Sequence, residues 1–155
     1  MAVVRREGPL FFAFIEGMAV YAVEKLYPGV PRPGLIEKYV PQYKENFSLY
    51  AKEFLKDLKD FDYQKYKKYF IDPSDDPLIP DKFGYWLGYK IVESLSKDFT
   101  IEEMMKWPPQ RISQMAMQEI NKILEAGEEA LARPGLGKPE VHKLTENAYA
   151  ITNLY

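Results

Sequence analysis

From Pro9 to Leu26 the chain is apolar almost without interruption, PLFFAFIEGMAVYAVEKL, and a proline suits the first position of a helix. That helix is predicted to end before the breaker-rich PGVPRPG at 28–34. The clearest period follows. Tyr39, Tyr43, Phe47, Tyr50, Phe54, Leu58 and Phe61 succeed one another at steps of four, four, three, four, four and three, which is one face of a long helix starting near Pro41. The pattern continues through DYQKYKKYF to Phe70 after a break near residues 60–62, and three prolines in IDPSDDPLIP turn it into a loop. Asp81 as a cap then opens FGYWLGYKIVESL, where Phe83, Leu87, Ile91 and Leu95 share a face. Thr100 and Glu103 form a capping-box pattern for a short helix through Met105. Pro108 and Pro109 announce a last helix whose stripe is Ile112, Met115, Ala116, Ile120, Ile123 and Leu124, ending near Arg133. The segment EVHKLTENAYAITNLY reads as a short strand or a frayed helix, and 134–155 as an extended tail. The expected fold is mainly α, one domain over 1–155 with about five helices.

Composition narrows what such a fold does. At 155 residues the chain can bury one sizeable core, and 46% hydrophobic residues place it among globular proteins. Twenty-one basic residues against 23 acidic ones leave a net charge of −2, so no bulk field recruits nucleic acid or anionic membrane. With no cysteine, disulfides and thiolate chemistry are excluded. The opening MAVVRREGPLFFAFIEGMAVYA mimics a signal peptide, but Glu16 and Gly17 interrupt its apolar run. No run reaches the ~20 apolar residues of a membrane span, so a cytoplasmic, soluble chain is expected, with secretion left open. Abundant Lys and Glu with many loop prolines also suit a thermophile.

Several residues invite chemistry. Glu16, a carboxylate inside an apolar helix, is either a solvated or ion-paired side chain, a ligand position, or part of another site. Gly84 and Gly88, four apart, either let another backbone approach or open room for Tyr85 and Tyr89 to line a pocket. The aromatic stripe from Tyr39 to Phe61 is read as core and not as a stacking platform, because Glu45, Glu53, Asp57 and Asp60 cancel its lysines. Met104, Met105, Met115 and Met117 read as adaptable core. Asp72, Asp75, Asp76 and Asp81 lack the spacing of a calcium loop and read as loop solvation and capping. His142 is the only histidine.

Two stretches carry a family resemblance. FIEGMAVYAV at 14–23 resembles the helix of thermolysin-like zinc peptidases that supplies the third metal ligand, and FGYWLGYKIVESL resembles a Gly-Tyr-rich helix near the end of a group of predicted zinc-dependent proteases. The similar region covers roughly 10–115. The resemblance implies zinc as the cofactor and Glu16 as a ligand. The chain departs from the pattern in having no H-E-x-x-H, the segment that binds zinc and supplies the general base. It therefore looks like the C-terminal half of such a protease, either a degenerate copy or a chain whose catalytic segment lies upstream. No independent catalytic centre and no resident cofactor are expected. Function is expected through a homodimer or another protein partner, with Phe11, Phe12, Phe14 and Ile15 as the interface. The alternatives are a metal-dependent hydrolase built on Glu16 and a small-ligand binder around Tyr85 and Tyr89.

Overall fold

The computed structural model describes residues 8–132, in which seven α-helices and no strand are found. Helix α1 is Pro9–Leu26, α2 Val40–Glu45, α3 Phe47–Asp57, α4 Tyr63–Phe70, α5 Phe83–Leu95, α6 Ile101–Met105 and α7 Pro109–Ala132. Gly8, at φ 89°, turns the chain into α1 through a conformation that costs a glycine little. Short 3-10 turns at Glu37–Tyr39 and Leu58–Asp60 precede α2 and follow α3.

Helix α5 is the axis of the core. Phe83, Leu87, Ile91 and Leu95 are all buried on it, as their spacing predicts. Trp86, Tyr89 and Val92 are buried as well, so the helix is covered on most sides. Helices α1, α4 and α7 pack against it. The α2–α3 stripe reaches it through rings: Tyr43 stacks on Trp86 at 5.7 Å, and Phe47 and Tyr50 meet Phe83 edge-on at 5.9 and 5.3 Å. Each such fully buried aromatic side chain contributes about 1.5–3 kcal/mol relative to exposure. At the far end Trp107, just before α7, stacks on Phe14 and receives Phe99 edge-on.

The structure corrects three expectations. The stripe from Tyr39 to Phe61 is not one helix: it breaks at Asn46 (φ −113°, ψ 23°) and again at Leu58, giving seven helices where about five were read. The period survives the break because both pieces bury the same face. Tyr43, Phe47, Tyr50 and Phe54 are all core. Asp81 does not cap α5; its carboxylate accepts the Ser74 N–H at 2.7 Å and its carbonyl accepts the Tyr43 hydroxyl. The loop's own unpaired N–H groups compete for the carboxylate, and Lys82, at φ 64°, leads into the helix instead. The four methionines divide: Met104 is buried, Met115 and Met117 pack at the core's edge, and Met105 is exposed. The capping box at Thr100 and Glu103 forms as read. The strand or frayed helix of the tail, residues 134–155 and His142 lie outside the described residues. No helix among the described residues is long and apolar enough to cross a membrane.

Candidate functional site

Helices α1 and α5 meet backbone to backbone. A Cβ at Gly88 would lie 1.8 Å from the Ala13 carbonyl oxygen, and one at Gly17 would lie 1.9 Å from the Gly88 carbonyl carbon. Only glycine at both positions permits this approach. Gly84 serves a different neighbour, since a Cβ there would meet the Phe70 ring at 2.4 Å. Of the two readings open for the glycine pair, close packing describes both positions.

The crossing sets Glu16, one residue before Gly17, beside Tyr85, one turn before Gly88. Glu16 is half-buried, and the Tyr85 hydroxyl donates to its carboxylate. Burial first, then the Glu16 charge, pushes the Tyr85 phenol up to about 12. Tyr66 of α4 is the third member. Its phenol is raised by burial and, after that, by the charge of Glu16. Its ring stacks on Phe70, which meets Tyr85 edge-on, so one aromatic wall carries both hydroxyl-bearing rings. Both phenols stay protonated at neutral pH and are available as donors. Nothing in the sequence marks Tyr66 for a role.

This arrangement holds a carboxylate with one phenol bonded to it and a second nearby. A zinc centre needs about three protein donors. Around Glu16 the neighbouring polar groups are phenols, and among the described residues no three His, Cys, Asp or Glu side chains converge. The described residues therefore do not fit a zinc centre by themselves, and no step through zinc is derived for them. In the acidic loop the carboxylates serve their own backbone: Asp76 accepts the N–H groups of Leu78 and Ile79 at 2.8 Å each.

Tyr85 and Tyr89, expected to line one pocket, diverge. Tyr89 is buried and donates to Glu24 at the other end of the crossing, where burial and then that bond raise its phenol. It lines a cavity of about 530 Å³ with Glu24, Arg32, Trp86 and Lys90, and Tyr85 is not part of that wall. Lys90 was overlooked in the sequence. A lysine between Tyr89 and Ile91 on an otherwise apolar helix was the available signal.

The four residues expected at an interface also separate. Phe14 is buried against Trp107, Phe12 packs edge-on against Tyr66 and Phe70, and Phe11 is half-buried, while Ile15 is 43% exposed.

Residues 13–114 match the model of a family described as predicted Zn-dependent protease (DUF2268). No curated protein and no solved structure matched the chain.

Proposed function

Because the chain belongs to the family of predicted Zn-dependent proteases (DUF2268), we propose that it acts by association through the outer face of α1, its described residues presenting Glu16 without a self-sufficient catalytic centre. What supports this reading is that α1 has no polar side. Its inner face buries Leu10, Ala13, Phe14, Gly17, Met18 and Tyr21. On the opposite side, about 180° round the helix, lie Ile15, Ala19, Ala22, Val23 and Leu26, all apolar again, beside Phe12, which α4 covers. Ile15 is 43% and Leu26 71% exposed. A helix apolar on every side belongs in an interior, and a solvated outer face would carry charges instead.

Covering Ile15 would contribute about 1 kcal/mol and Leu26 about 1–2 kcal/mol, and a two-fold axis doubles the sum. A second copy of the chain is the proposed cover, since closed two-fold dimers are the commonest assemblies. Glu16 borders this face, so what covers α1 also decides what approaches its carboxylate.

Sedimentation velocity of the full chain tests the reading. The dimer is expected, and Ile15→Lys, with helical circular dichroism unchanged, should sediment as a monomer because two lysines would face each other in the interface. A wild-type chain that stays monomeric at every concentration sinks the proposal. Metal analysis separates the enzyme rival: stoichiometric zinc retained by the wild type and lost in Glu16→Gln would replace association with a metal-dependent hydrolase.

A further inference from the structure

The cavity beyond Tyr89 lies at the opposite end of the α1/α5 crossing from Glu16 and plays no part in the association proposed above. It is an open cleft of about 530 Å³, within the range of small-molecule sites. Its walls carry acids and bases in equal number: Glu24, Glu37 and Glu93 against Arg32, Lys44 and Lys90. A polyanion or a polycation therefore gains nothing there. Cationic and anionic groups are nonetheless fixed in place. Lys90, its side chain 7% exposed, is held by Glu93 at 2.6 Å. Arg32 lies over the rings of Trp86 and Tyr89 at 5.1 and 5.4 Å, with Nε 3.5 Å from Glu37.

Two buried polar atoms on these walls lack partners. Glu24 receives the Tyr89 hydroxyl, yet its Oε2 accepts nothing, and the Trp86 Nε1–H donates to nothing. A buried acceptor without a donor and a buried donor without an acceptor each cost about 1–3 kcal/mol. One is an anion in need of a cationic donor. The other is a donor beside Arg32 and Lys90, where an anion is welcome.

We propose that this cavity binds a small zwitterion, an α-amino acid or dipeptide, whose ammonium group pairs with Glu24 and whose carboxylate is held by the Arg32, Trp86 and Lys90 side. The equal charge count and the fixed cations suit a ligand carrying both charges.

Isothermal titration calorimetry of the full chain with glycyl-L-phenylalanine is the test, beside three relatives: the N-acetylated peptide without its ammonium, the peptide amide without its carboxylate, and the compound blocked at both ends. The zwitterion should bind with a dissociation constant below about 1 mM, and removing either charge should weaken it about tenfold or more. Glu24→Gln, nearly identical in shape, should abolish the discrimination against the N-acetylated peptide and leave that against the amide. Equal binding of the zwitterion and the doubly blocked compound overturns the proposal, as does no binding of the zwitterion up to about 10 mM. If Glu24→Gln does not fold, the four ligands on the wild type still decide. Dimerisation can fail with this result intact, and the reverse holds equally.

Discussion

Gly88→Ala is the sharpest perturbation available. On helix propensity alone the change should stabilise α5 by about 1 kcal/mol, because glycine is the poorer helix former. The tertiary structure reverses the sign. The new Cβ would lie 1.8 Å from the Ala13 oxygen, 2.7 Å from the Ala13 carbon and 3.0 Å from the Gly17 Cα, whereas ordinary contact begins near 3.4 Å. All three atoms are backbone, so no side-chain rotation relieves the clash, and α1 must retreat by about 1.6 Å, the difference between 3.4 and 1.8 Å. Overpacking a well-filled core costs about 1–3 kcal/mol, and more where nothing flexible yields. Set against the propensity gain, a cost at the top of that range leaves an expected loss of about 2 kcal/mol. Urea unfolding followed by circular dichroism measures it. Gly84→Ala is the internal comparison: its Cβ meets the Phe70 ring at 2.4 Å, a side chain and not backbone, so it should lose less. A Gly88→Ala variant as stable as the wild type would refute the close crossing, and with it the account of how Glu16 is set beside Tyr85.

The remaining predictions concern charge. Burial works to raise the Asp57 carboxyl, but hydrogen bonds from Lys68 at 2.9 Å and Tyr69 at 2.8 Å, with the nearby charges of Lys68 and Lys65, outweigh it and hold the group below its ordinary value. A carboxylate lowered in the folded state contributes stability above its unfolded value of 3.8 that is lost as pH falls through the folded one. Acid unfolding below that window should therefore be shallower in Asp57→Asn, whose stability at neutral pH is already reduced by about 1–3 kcal/mol; matching acid profiles would remove Asp57 from the account. Tyr85 behaves oppositely. Its raised phenol contributes stability that is complete below the ordinary value of 10.0 and is lost as pH climbs through about 12. In an ultraviolet titration of phenolate absorbance, Glu16→Gln should shift both Tyr85 and Tyr66 to lower pH; an unchanged curve would mean that the Glu16 charge acts on neither phenol.

Some of this was legible in the chain. Helix α1, its start at Pro9, the capping box at Thr100 and the buried faces of α5 and α7 follow from period and end signals, which are local chemistry. The break at Asn46 was not legible. Steps of three and four persist through it because both pieces turn the same face to α5, so periodicity records the burial of a face and is silent on one kinked residue. The candidate site divides in the same way. Glu16 stands out in any reading as a charge in an apolar run, and Gly84 and Gly88 as small residues at helical spacing. Which glycine meets which neighbour depends on where two helices cross, a relation between residues about 70 positions apart that no local rule encodes. That crossing separates Tyr85 from Tyr89, sending one to Glu16 and the other to Glu24, although the two are neighbours on a single helix. The sequence by itself determined a helical protein with an apolar first helix and one conspicuous carboxylate. The tertiary structure alone decided what that carboxylate touches and where a buried lysine, an arginine and an orphaned glutamate oxygen share a cavity, because burial and contact are properties of packing between distant segments.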